Sequence, residues 1–138
     1  MYYQSLSNAI STSFTSLLFI DDDDEDLCLF PMVISNLCVS LNTDTIGNAA
    51  LALAKLDTGE IHPDLIFLGL DMPVMNGQEF LRAIKAKEPL KDIPVIVMST
   101  STESGTMEEV KSLGAMDYFV KPSSYYDFKA IFKRLLRL

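Results

Sequence analysis

Positive charge is the first thing this sequence is short of. Eleven lysines and arginines against nineteen acids leave a net charge of −8, which argues against a nucleic-acid partner held through its phosphates. Cysteine is scarce as well. Cys28 and Cys38 make neither a metal-ligand cluster nor a disulfide framework, so reduced thiols and a cytoplasmic location are expected. No window approaches the length of a membrane span, and the N-terminus lacks a basic patch ahead of an apolar core, so no membrane anchor or signal peptide is expected. Internal repeats and low-complexity tracts are absent too. What is present is apolar content: 49% hydrophobic residues in a chain of 138, enough for one domain with a real core.

Residues 1–15, rich in Ser and Thr and weakly patterned, read as a loosely held arm. From Ser16 onward apolar runs alternate with helical spacing. "SLLFI" reads as a first buried strand, and "EDLCLFPMVISNL" as a helix in which Pro31 forces a kink or a late start. "CVSLNT" reads as a second strand and "IGNAALALAKLDTG" as a second helix ended by Gly59. Three further units follow: "DLIFL" with "GQEFLRAIKAKE", "IPVIVMS" with "TESGTMEEVKSLG", and "AMDYFV" with "YYDFKAIFKRLLRL". Five strand–helix pairs with short connections imply an α/β domain over 16–138, a parallel sheet covered on both faces by right-handed crossovers.

In such a sheet a ligand sits beyond the carboxyl ends of the strands. Strand 1 ends in Asp21 and Asp22, the start of six consecutive acids; strand 4 ends in Ser99 and Thr100; strand 5 ends in Lys121. Clustered carboxylates repel unless a cation neutralises them, and oxygen ligands favour Mg²⁺. A lysine and a hydroxyl nearby suit a phosphate. Strand 3, however, ends in Gly69, followed by Asp71 in the loop "DMPVMNG". The position best placed to carry a nucleophile has no side chain.

The motifs "LLFIDDDDED", "PDLIFLGLDMPVMNG", "IPVIVMSTS" and "GAMDYFVKP" stand in an order and spacing that resemble the receiver domain of two-component response regulators, over about residues 16–138. The resemblance implies a flavodoxin-like (βα)5 fold with strand order 2-1-3-4-5. It casts Asp21 and Asp22 as the acidic pair around Mg²⁺, with Asp22 a direct ligand, and Asp71 as the donor of a backbone carbonyl. Ser99, with Thr100 beside it, takes the place of the switch hydroxyl, Tyr118 that of the rotating aromatic and Lys121 that of the phosphate-binding lysine. The aspartate that accepts phosphate lies four residues before the loop proline; counting back from Pro73 gives Gly69. The resemblance therefore implies phosphorelay signalling without phosphorylation at the usual site, no enzymatic activity as the chain stands, and weak Mg²⁺ binding. It implies no output domain on the same chain, and action through contacts with a histidine kinase, a phosphotransfer protein or a downstream effector, over the region from about Glu103 onward. A homodimer is compatible with it.

Rival readings stay open at this point. The chain could be an ordinary phospho-accepting receiver in which the aspartate at 69 has been substituted, or a flavodoxin-like ligand-binding protein, although "DDDDED" after strand 1 would repel a phosphate. Gly69 could be a glycine that the backbone requires. Asp23, Asp24, Glu25 and Asp26 read as a solvated helix N-terminus, where negative charge is favoured. An EF-hand lacks its central glycine. His62 is read as an inert loop residue, and Met72 and Met75 as loop anchors. Asp71 is no substitute acceptor, because a two-residue step displaces a side chain by about 6.6 Å.

Overall fold

The computed structural model describes residues 14–37 and 40–137. Five parallel strands, β1 (Ser16–Ile20), β2 (Asn42–Ile46), β3 (Leu65–Gly69), β4 (Val95–Ser99) and β5 (Asp117–Val120), form one sheet of order β2-β1-β3-β4-β5. Between and after them run α1 (Asp24–Leu37), α2 (Ala49–Asp57), α3 (Gly77–Lys85), α4 (Ser104–Ser112) and α5 (Tyr125–Leu135). This is the flavodoxin-like order expected of the sequence, with the switch point between β1 and β3.

The inner strands are apolar at nearly every position because both faces are covered. Alternate residues divide between two cores. Leu18, Ile20, Ile66, Leu68, Val95, Val97 and Tyr118 meet α2, α3 and the Val110 turn of α4. Leu17, Phe19, Leu65, Phe67, Ile96, Met98 and Phe119 meet α1 and α5. On this second face Phe19 stacks on Phe30 and Phe67, each with ring centroids 4.9 Å apart, and Phe132 sits edge-on against Phe19, Phe30, Phe67 and Phe119.

Three local expectations need correction. The second strand is Asn42–Ile46, not "CVSLNT": an edge strand whose residues are mostly exposed carries little apolar signal, so Leu41 and its neighbours attracted the assignment. Cys38 and Val39 lie outside the described residues. Helix α1 begins at Asp24 and continues through Pro31, so the proline does not delay it; its start is set by Asp23, whose carboxylate accepts the N–H groups of Glu25 and Asp26. Finally, Phe14 and Thr15, assigned to the arm, belong to the domain. Phe14 packs against the second core, and the Thr15 and Ser16 N–H groups both donate to Asp64. The expectation for residues 1–13 lies outside the described residues.

Candidate functional site

Strand parity decides which side chains can meet at the carboxyl edge of the sheet. Position 69 continues the series Leu65, Phe67, and Asp21 continues Leu17, Phe19, so both project towards α1 and α5. Lys121 follows Phe119 on the same side. Ser99 follows Val95 and Val97 and shares the opposite side with Tyr118. The sheet thus sorts the candidate residues into two groups at one rim.

The first group is a charge cluster. Asp21 is 2% exposed. One of its oxygens accepts the Asp23 N–H at 3.1 Å, and Oδ2 forms an ion pair with Lys121 Nζ at 2.5 Å. The same ammonium reaches Asp26 Oδ2 at 2.9 Å. Burial alone would lower the Lys121 pKa, but its close contacts with the Asp21 and Asp26 carboxylates, reinforced by their charges, carry it above its ordinary value. Asp26 was assigned by sequence to the solvated acid run, and its ion pair with Lys121 is the contact that reading missed. The signal was there: Asp26 lies four residues before Phe30 and so extends the buried stripe of Phe30, Val33 and Ile34 by one helical turn.

Gly69 faces this cluster. A Cβ placed there would meet Asp21 Oδ2 at 3.0 Å and the rest of that carboxylate at 3.1–3.3 Å, and no backbone atom comes nearer. Gly69 is not among the glycines with positive φ. The backbone therefore does not require glycine at 69; the Asp21 side chain simply borders the space that a larger residue would enter. Gly77 is different: a Cβ there would lie 2.5 Å from the Gly69 carbonyl oxygen, so the β3–α3 loop can close only over a glycine. Its N–H donates to Leu70 O at 2.8 Å, and Asn76 and Glu79 form a capping box at the start of α3.

The second group organises the loop after β4. The buried Ser99 hydroxyl accepts the Ser101 N–H at 3.1 Å, and the Tyr118 hydroxyl donates to the Ser101 carbonyl. Tyr118, 1% exposed, is held inward. Ser101, which ends the motif "IPVIVMSTS" but was given no role there, is the joint between the two predicted switch residues. Both groups border a pocket of about 170 Å³ lined by Asp21, Asp22, Gly69, Asp71, Ser99, Thr100 and Lys121.

Does this pocket fit the Mg²⁺ that the sequence suggests? Mg²⁺ takes near-octahedral oxygen ligands, usually one or two carboxylates with several waters. Asp22 and Asp71 are exposed at the rim, whereas Asp21 is committed to Lys121. No third carboxylate rises from β3, and among the described residues no three acidic, histidine or cysteine side chains converge in a metal-binding arrangement. As they stand, these side chains offer Mg²⁺ at most a poor site. Among the described residues no helix is long and apolar enough to cross a membrane.

A parallel 2-1-3-4-5 sheet with acids, a hydroxyl and a lysine at its carboxyl edge defines a signalling receiver architecture. Residues 17–133 match the model of the response regulator receiver domain, and the chain belongs to that family. A two-component response regulator from indica rice (Oryza sativa subsp. indica), ORR1, is 34% identical over 125 residues, covering 86% of this chain and 54% of that protein. The chain thus spans about half the length of this curated relative. Among solved structures, the phosphorylated cyanobacterial phytochrome response regulator RcpA superposes with a TM-score of 0.80 at 28% identity, over 88% of this chain and 90% of that one. The Mn²⁺-bound form of response regulator Rcp1 gives 0.77 at 25% identity, over 85% and 88%.

Proposed function

We propose that this receiver domain signals through protein–protein contacts without itself accepting a phosphoryl group. The observation that carries the reading is Gly69 at the carboxyl end of β3, facing Asp21 in the charged pocket with no carboxylate to attack phosphorus. Asp71 stands two residues further on, exposed at the rim. Partners of the expected kinds, a histidine kinase, a phosphotransfer protein or a downstream effector, would read the surface of α4, β5 and α5, where Tyr126 is 77% exposed. Ser99 and Tyr118, both tied to Ser101, connect that surface to the pocket. Mg²⁺, with Asp21, Asp22 and the Asp71 carbonyl as the candidate donors, would bind only in the millimolar range, since hard-cation affinity follows ligand charge count.

A second reading, a phospho-accepting receiver whose aspartate has been substituted, is favoured by one observation: the atoms nearest to a Cβ at 69 belong to the Asp21 side chain and not to the backbone. A single experiment tests both. The wild type and Gly69→Asp are incubated with acetyl phosphate and Mg²⁺ and weighed intact. In Gly69→Asp a carboxylate oxygen would bond to phosphorus as the acetate oxygen leaves with the electron pair, a step that depends on positioning and charge neutralisation. The wild type should gain no phosphoryl mass at any Mg²⁺ concentration; an adduct on it refutes the proposal. An unmodified Gly69→Asp protein would show that the rest of the pocket no longer supports the chemistry.

A further inference from the structure

We infer that Lys121, held between Asp21 and Asp26, is the resident cation of this pocket, standing where a divalent metal would otherwise balance the acids. Three observations support this. The ammonium lies 2.5 Å from Asp21 and 2.9 Å from Asp26, so its single positive charge is shared between two carboxylates. Lys121 is only 14% exposed at its side chain and Asp21 only 3%, so this contact is shielded from water and competes strongly with an incoming hydrated ion. The lysine also lines both the 170 Å³ pocket and a neighbouring groove of about 520 Å³ bounded by Asp26, Pro122, Tyr125 and Phe128; it forms part of the wall between them.

The absence of a side chain at 69 is what permits this arrangement. With nothing projecting from β3, the Asp21 carboxylate borders the vacant space and still reaches Lys121. Asp26 supplies the second anchor from one turn into α1, and the contact spans 95 positions of sequence. The β5–α5 junction is thereby fastened to the start of α1 by charge as well as by the Phe30–Phe128 ring pair. Mg²⁺ must displace this ammonium before it can use Asp21, and a phosphate must compete with two carboxylates for the same nitrogen. The inference rests on the contacts themselves and holds whether or not position 69 can be made to accept phosphate.

The test uses Lys121→Met and Lys121→Gln, the second keeping a hydrogen-bonding group should the first fail to fold. Mg²⁺ is titrated calorimetrically, and melting is recorded in EDTA and in MgCl₂. The wild type should show no saturable binding below about 1 mM and no shift in melting, whereas removing the lysine charge should lower the Mg²⁺ Kd by about tenfold or more and make melting Mg²⁺-dependent. A wild type that binds Mg²⁺ as tightly as either variant, or a folded variant that gains no Mg²⁺ affinity, overturns the inference. The Asp26 anchor is read separately by amine acylation and peptide mapping. Asp26→Asn should raise the labelling rate of Lys121 severalfold relative to Lys129 and Lys133 in the same sample; an unchanged ratio refutes the anchoring role. Neither readout involves acetyl phosphate, so failure here and failure of the signalling proposal are distinguishable.

Discussion

Introducing a carboxylate with Gly69→Asp should destabilise the metal-free protein. The new Cβ would sit 3.0 Å from Asp21 Oδ2, so the Asp21 carboxylate must give way. Two carboxylates about 4 Å apart repel by about 4 kcal/mol at an effective dielectric of about 20. Sharing of the Lys121 ammonium returns part of that, and loss of a strand glycine returns about 0.5–1 kcal/mol in backbone entropy. The expected net loss is about 1–3 kcal/mol, or a fall in melting temperature of very roughly 3–10 °C for a domain of this size. Gly69→Ala is the control, since it adds the Cβ without the charge and should stay within about 1 kcal/mol of wild type. Mg²⁺ should reverse the loss in Gly69→Asp, because a ligand present at 100 times its Kd contributes about 2.7 kcal/mol. Urea melts of the three proteins in EDTA and in Mg²⁺ measure all of this. If Gly69→Asp proved more stable than wild type in EDTA, the repulsion argument would be wrong and the pocket would have room for a third acid.

Gly77→Ala should cost about 1–3 kcal/mol, because its Cβ would press on the Gly69 carbonyl oxygen and the Leu70 Cα as well as on the Leu70 side chain; a neutral result in chemical denaturation would refute the close-approach argument. Val74, 94% exposed with φ of 70°, holds a β-branched residue in the left-handed region. Val74→Asn should therefore stabilise the fold by about 1 kcal/mol, and equal melts would count against that strain. Asp64 is held below its ordinary carboxyl value, first by the Thr15 N–H and further by Ser16 and the Thr15 hydroxyl, against burial. A lowered native pKa gives stability that is present above 3.8 and lost as pH falls through the native value. The stability gap between wild type and Asp64→Asn should accordingly be widest above pH 4 and close in acid; a gap independent of pH would exclude this linkage.

The inner strands were legible because they are continuous apolar runs, and β3 and β4 appear where "DLIFL" and "IPVIVMS" stand. The β2 edge was not, since Asn42, Asp44 and Thr45 face solvent and give no apolar rhythm to read. The late start of α1 was misjudged for a different reason. A proline forfeits one hydrogen bond and clashes with the preceding turn, yet Phe30, Val33 and Ile34 bury enough surface on the second core to hold the helix through it.

The charged rim shows the same division between what a motif names and what packing decides. Asp21, Ser99 and Lys121 could be picked out by where their strands stop, because the carboxyl edge of a parallel sheet gathers them whatever their job, while Tyr118 was named by the motif resemblance alone. Which of them touch depends on two periods read together. Alternation along the strands turns Asp21, position 69 and Lys121 to the α1–α5 face and Ser99 to the other, while the helical period carries Asp26 back over Lys121. A run of six acids hides that distinction, since by composition Asp26 looks like Asp24. In the fold, Asp24 is exposed at the helix start, whereas Asp26 is drawn towards the half-buried Lys121 ammonium. With no side chain at 69, Lys121 is held by the acids at the end of β1 and the start of α1, and its one positive charge offsets part of the pocket's negative charge from within the chain.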